Sequence, residues 1–333
     1  MYVRNHIVTV SFIGTQLPIQ MGGDYVVIPI LLCYLYRTCQ LTLVDSIDVD
    51  GNLTMDEENT TILRPKSFDF PWRANIKNEG SGIISHYAMW HTKPGKFYGL
   101  RAEMSIWASP NQENSQESGA SLQIYCPDGG NYNLIEAGFH ISPSLYRNKD
   151  IRFFTYWTKD LKSRGCYNLQ CPGFVSASGA NLVPGQAIVP PSMYGKQDYY
   201  VRLSLNQDPN SEDWVVYRHD LEKPSLLGHF PKKLCPGTPR IQALTGFVNY
   251  LKNAHGPPMG SGHFPDHYDH DNKKSAYFKH IRYYNPNGHS YNPFGVPMVK
   301  LVDRLDCYRA NDFVLDYKRG YMFNYGGPSG CVG

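Results

Sequence analysis

Asn133-Leu134-Ile135-Glu136-Ala137-Gly138-Phe139 sets one carboxylate inside an otherwise apolar, strand-like run. A carboxylate in a half-buried strand is costly unless it is paired, hydrogen-bonded or put to use, so Glu136 is the first candidate for acid–base chemistry. On strand alternation Leu134, Glu136, Gly138 and His140 share one face, and Ile135, Ala137, Phe139 and Ile141 share the other. Gly138 then leaves room for a substrate backbone beside Glu136. Two other groups could do chemistry. His263, Asp266, His267, Asp269 and His270 crowd one loop with side chains that ligate transition metals. Spacing alone supplies no converging geometry, so the loop reads as polar and solvated, with neither metal nor cofactor expected. Gly260-Ser261-Gly262 is shorter than a Gly-x-Ser-x-Gly nucleophile elbow and reads as a tight turn.

Short strands must position these residues. Leu100, Ala102, Met104 and Ile106 alternate with Arg101, Glu103, Ser105 and Trp107, which is a strand pattern. Pro110 to Gly119 reads as a polar loop, and Ser121 to Tyr125 as a strand. Pro127-Asp128-Gly129-Gly130 is a turn, and 133–141 is the strand that carries Glu136. Further strands are expected at 151–157, 173–177, 186–190, 199–205, 213–218, 241–249 and 277–284. Close-set turns between short strands mark a sandwich or barrel. Trp107, Trp157 and Trp214 read as core or cleft-wall aromatics.

Composition agrees. Among 333 residues, 14% are aromatic, with 25 Tyr, 30 Gly and 24 Pro, which favours strands and tight connections over long helices. A net charge of +3 with 18% charged residues is too mild for a nucleic-acid or anionic-membrane partner. The apolar run Val26–Tyr36 is too short to span a bilayer and contains Pro29; it has the length of a leader core but starts late. Asn52-Leu53-Thr54 and Asn59-Thr60-Thr61 are glycosylation sequons, which matter only in a secreted chain. The eight cysteines form no Cys-x-x-Cys pair, which argues against a zinc ribbon or a thioredoxin-type site. Their even number in a strand-and-loop chain suits an oxidising compartment. Cys166 and Cys171 can close a small loop, and Cys307 and Cys331 can staple the C-terminal segment. Cys126 and Cys235 either pair with each other or stay buried and reduced.

Several uncommon segments occur in a fixed order: Tyr98-Gly99 with Ile106-Trp107, then Asn133 to Phe139, then Phe154-Thr155-Tyr156-Trp157-Thr158 and Gly165 to Cys171. Gly228-His229-Phe230-Pro231, Met259-Gly260-Ser261-Gly262-His263-Phe264 and Tyr325-Gly326-Gly327-Pro328 follow. From about His86 to the end, the chain resembles the neprosin domain, the plant glutamic peptidase family. The resemblance implies an all-β sandwich of two antiparallel sheets with a cleft on one face. It also implies secretion, a propeptide, disulfides Cys166–Cys171 and Cys307–Cys331, and a peptide or protein substrate cut after proline in acid. Two glutamates on facing strands do that chemistry. One holds a proton while the other activates water, because two close carboxylates cannot both ionise cheaply.

Glu136 matches the first of the pair. The second lies in a Trp-Gly-Gly-Glu-Val strand shortly before Met-Gly-Ser-Gly-His; here that stretch reads Leu244-Thr245-Gly246-Phe247-Val248, so Phe247 occupies the second position. Losing one general acid–base group typically costs roughly 10²–10⁴ in rate. Glu103 is expected to be a surface residue paired with Arg101 or another base, and Asp220 and Glu222 to be solvated, so none of them is expected to replace the missing acid. Arg64-Pro65-Lys66-Ser67-Phe68 resembles the end of the family's propeptide. The stretch Asp45 to Glu58 lacks the family's cysteines and no Cys-Pro-Glu-Gly segment follows, so no activation by propeptide removal is expected. The reading is a divergent leader or propeptide remnant over 1–75 and a neprosin-type sandwich over 76–333, secreted, with an impaired catalytic pair. The alternatives are an active proline-directed endopeptidase using another second acid, and a cell-wall carbohydrate- or peptide-binding module.

Overall fold

The hairpin around Pro127-Asp128-Gly129-Gly130 shows how local sequence sets the architecture. In the computed structural model, Glu117–Asp128 and Asn131–Ile141 pair antiparallel, from Ser118 opposite Ile141 to Asp128 opposite Asn131. Gly129 and Gly130 join them with φ of 56° and 87°. A two-residue turn with positive φ at both positions matches the strand twist and favours glycine.

The structure describes residues 7–12, 15–20, 82–161, 165–238, 240–265 and 273–333. In chain order the strands are β1 (Ile7–Phe12), β2 (Thr15–Gln20), β3 (Ile83–Thr92), β4 (Gly99–Ser105), β5 (Glu117–Asp128), β6 (Asn131–Ile141) and β7 (Arg152–Thr158). They continue with β8 (Cys166–Tyr167), β9 (Val175–Ser176), β10 (Tyr200–Gln207), β11 (Trp214–Arg218), β12 (Ser225–Phe230) and β13 (Ile241–Leu251). The last are β14 (Ala276–Tyr284), β15 (Ser290–Tyr291), β16 (Met298–Val302), β17 (Arg309–Ala310), β18 (Val314–Asp316) and β19 (Gly320–Gly326). A short helix, α1 (Pro143–Tyr146), follows β6. The chain divides into two compact units, Met1–Ser67 and Phe68–Gly333. In the first, β1 and β2 pair antiparallel.

The second unit is a sandwich of two antiparallel sheets. One has seven strands in the order β16-β3-β13-β5-β6-β7-β8. The other has ten, ordered β17-β19-β14-β4-β10-β11-β12-β9, with β15 beside β14 and β18 beside β19. Between them lies the main core, which includes Leu100, Ala102 and Met104 of β4, Ile135, Ala137 and Phe139 of β6, and Leu203 and Leu205 of β10. A second apolar cluster covers the outer face of the seven-stranded sheet, with Tyr87, Met89, Tyr125, Leu134, Phe154, Tyr156 and Phe247. Glu136 belongs to that outer face, because its alternation partners Ile135 and Ala137 point into the core.

Cys166–Cys171 and Cys307–Cys331 are bridged, with Cα atoms 6.0 and 5.5 Å apart. Cys126 and Cys235 also pair, Cα to Cα 5.2 Å, tying β5 of one sheet to the turn that leaves β12 of the other. The expected strand at 186–190 is reduced to a single bridge, Ala187 to Arg152, since Pro190 and Pro191 cannot donate to a ladder. The polar loop after Pro110 ends earlier than expected, at Glu117. Val26–Tyr36, Cys33, Cys39, the two sequons, and Asp266, His267, Asp269 and His270 lie outside the described residues.

Candidate active site

Glu136 is fully buried. Its neighbours across the sheet are Gln123 on β5 and Tyr156 on β7. Gln123 donates from Nε2 to Glu136 Oε1 at 3.1 Å. The Gln123 carbonyl accepts from the Tyr125 hydroxyl at 2.9 Å and from Thr245 Oγ1 at 3.0 Å. Two donors on one oxygen fix the amide so that its nitrogen faces the carboxylate. The chain Thr245–Gln123–Glu136 thus spans three adjacent strands, β13, β5 and β6. This hydrogen bond offsets part of the cost of burying the Glu136 carboxyl group.

Phe247 lies on the same face and is also fully buried. It stands opposite Gly119 on β5, which stands opposite His140 on β6. A Cβ on Gly119 would come within 2.8 Å of the Phe247 ring and 2.8 Å of His140 Cβ, so only glycine admits the ring there. Phe154 meets Phe247 edge-on at 6.1 Å. Glu136 is opposite Gln123 and, beyond it, Ala243. Phe247 is therefore four residues further along β13, about 13 Å in an extended strand. The face that carries Glu136 thus presents the Phe247 ring displaced along the sheet from the carboxylate.

Gly138 serves a different purpose from the one its spacing suggests. A Cβ there would lie 2.6 Å from Ser121 Cα, so the glycine lets β5 and β6 pack closely and does not open space for a ligand. The described part of the segment after β7 closes over the face. Leu161 joins the apolar cluster, and Tyr167 packs on Tyr156 at 4.6 Å, held by the Cys166–Cys171 bridge next to it.

A second polar network that sequence reasoning missed occupies the Phe247 end of the face. His140 is fully buried, with Nδ1 2.5 Å from Glu117 Oε1 and Nε2 2.8 Å from the Tyr146 hydroxyl. Asn249 donates to Glu117 Oε2 at 2.6 Å, and Asn168 donates to the Tyr146 oxygen at 2.9 Å. Phe154 stacks on the imidazole at 4.1 Å. Burial pushes the Tyr146 phenol up to about 12, with Asn168 opposing and Glu117 reinforcing, so it stays protonated and can donate to His140. Alternation already put His140 on the Glu136 face; its partners Glu117 and Tyr146 come from segments whose approach the sequence did not reveal.

The other carboxylates considered lie elsewhere. Glu103 is nearly buried on the ten-stranded sheet and pairs with Arg202 at 2.6 Å, not with Arg101. Asp220 is not solvated: it accepts from both Nε and Nη2 of Arg218, at 3.0 and 2.8 Å. His263 is exposed and stacks on Tyr194 at 3.9 Å. Trp107 and Trp214 are core residues, while Trp157 packs against the core from its edge. No cluster of three metal-ligating side chains occurs among the described residues.

The fold resembles two solved peptidases. One is scytalido-glutamic peptidase with a transition-state analogue inhibitor, at 7% identity and a TM-score of 0.39, covering 73% of this chain and 98% of that one. The other is SCP-B, a member of the eqolisin family of peptidases, in complex with the tripeptide Ala-Ile-His, at 6% identity and a TM-score of 0.37 with the same coverage. Residues 114–328, which run from just before β5 to the end of the last strand and include Glu136, His140 and Phe247, match the Neprosin family, and the chain belongs to it.

Proposed function

We propose that this protein is a secreted, glutamic-peptidase-like member of the family whose catalytic pair is incomplete: Glu136 is kept, the second glutamate is replaced by Phe247, and peptidase activity is low or absent. One observation carries this reading. Phe247, which the family resemblance sets at the second glutamate's position, is a buried ring packed over Gly119 and against Phe154. Phenylalanine neither donates nor accepts a proton, so Glu136 has no acid there to protonate a leaving amine. The aromatic side chains of this face pack on one another and bury Glu136, which further disfavours cleavage of a peptide, proline-containing ones included. Three disulfides in the described residues support an oxidising, extracellular setting.

A substitute acid would have to share Glu136's face. Glu117 does, but it is six residues along β5 from Gln123, about 20 Å, and is engaged by His140 and Asn249. The test incubates purified protein with proline-containing peptides in acid, beside Glu136→Gln and Phe247→Glu. Wild type is expected to match Glu136→Gln at background. Cleavage by wild type that disappears in Glu136→Gln overturns the reading, and cleavage only in Phe247→Glu marks position 247 as the missing acid.

A further inference from the structure

The outer face of the ten-stranded sheet, on the opposite side of the sandwich from Glu136, gathers cations that the sheet does not neutralise. Strands β14, β4 and β10 lie side by side there. Their register sets Arg101 opposite Ser204 and Arg282, and Glu103 opposite Arg202 and Lys279. Leu100, Ala102 and Met104 point into the core, which turns Arg101 and Glu103 outward.

The nearby carboxylates are already engaged. Glu103 holds Arg202 at 2.6 Å, and Asp220 holds Arg218 at 2.8 Å. Asp198 accepts from the Tyr277 hydroxyl at 2.8 Å and lies 4.0 Å from Lys279 Nζ. Arg282 donates to neutral acceptors, Ser290 Oγ at 3.1 Å, the Ser290 carbonyl at 3.0 Å and Asn292 Oδ1 at 3.0 Å. Arg101 makes no ion pair among the described residues, and its Nε and that of Arg202 are buried without hydrogen-bond partners.

The electrostatics register this imbalance. Burial lowers the Arg101 pKa; Tyr284 opposes, while Arg282 and Arg202 lower it further. Burial, then Arg101 and Arg202, push His219 down to about 4, against Asp220. His219 Nε2 is 2.9 Å from Ser204 Oγ, which donates to Asn206 Oδ1 at 3.0 Å, so the imidazole is held as a neutral donor beside Arg101's cross-strand neighbour. Like charges held on a half-buried surface repel unless a counter-charge joins them, and the guanidinium fork matches the geometry of an oxyanion. We propose that this face binds an oxyanion, the carboxylate, sulfate or phosphate group of a ligand, with Arg101 at its centre and Arg202 and Arg282 at its flanks.

The test titrates the full chain near neutral pH with phosphate, sulfate and citrate against chloride at matched ionic strength, read by calorimetry and by thermal unfolding. Arg101→Gln, Arg282→Gln and Lys300→Gln are compared; Lys300 pairs with Asp312 and extends from β16 of the other sheet. Wild type is expected to bind at least one oxyanion saturably and to gain Tm beyond the chloride effect. Preference for phosphate and sulfate over citrate indicates a tetrahedral ligand group, and the reverse a carboxylate. Arg101→Gln is expected to weaken binding roughly tenfold or more, while its Tm in chloride holds or rises because repulsion is relieved. Arg282→Gln carries the same expectation for binding should Arg101→Gln fold poorly, and Lys300→Gln binds as wild type. Oxyanions that act no differently from chloride, or that stabilise wild type and both arginine variants equally, overturn the proposal.

Discussion

Glu136 is held by a glutamine whose other end is clamped by Tyr125 and Thr245. Gln123→Leu removes a donor from the carboxylate and an acceptor from Thr245. It is expected to cost about 1–3 kcal/mol or more, measured by urea unfolding. In a Glu136→Gln background the cost of the same change should differ from its cost in wild type, because the two side chains are directly hydrogen-bonded and their effects do not add. Phe247→Ala should cost about 3–5 kcal/mol through the cavity it leaves over Gly119. Phe247→Glu should also destabilise, since it buries a carboxylate among aromatics, and its stability should recover on acidification as the new group protonates. His219 gives a pH dependence of the opposite kind. With its folded pKa pushed down to about 4, it stays neutral while the unfolded chain takes up a proton near the ordinary value of 6.5. Stability from this group is full above that value and is lost as pH falls towards 4. His219→Asn should flatten the stability profile across that window.

At the scale of elements, the hairpin β5–β6 was legible because its turn chemistry and its alternation agreed. Gly129 and Gly130 turn the chain, and Leu134 and Ile135 divide between the two faces as their spacing requires. The start of β5 was hidden because Glu117 and Ser118 are polar residues held by partners from distant segments, Asn249 and the Pro258 carbonyl. The apolar pair Ile188-Val189 mimicked a strand, but the prolines after it end the ladder. Gln123 and Thr245 could not be linked to Glu136 from sequence, because cross-strand register is a tertiary property. The disulfides differ in the loop each closes, with separations of 109, 24 and 5 residues. Chain-entropy arguments rank their stabilisation at about 4.8, 3.4 and 2 kcal/mol, so replacing Cys126 and Cys235 by Ala should lower the denaturation midpoint most. Unfolding of the three double variants checks that order.

For the whole molecule, the sandwich separates two outer surfaces of different character. The seven-stranded side is aromatic and closed over Glu136; the ten-stranded side is charged and centred on Arg101. Most of this plan followed from short strands and close-set turns, whereas the cation cluster did not, because Arg101, Arg202 and Arg282 come from three separate stretches of chain. The Cys126–Cys235 bridge encloses β6 to β12, and with them Glu136, Arg202 and the exposed turns at Lys196 and Asn210. A protease that nicks either turn therefore releases no fragment. The two pieces stay covalently joined, migrate as one band until a reductant is added, and keep their strands in place, so a single cut in either turn leaves the sandwich assembled.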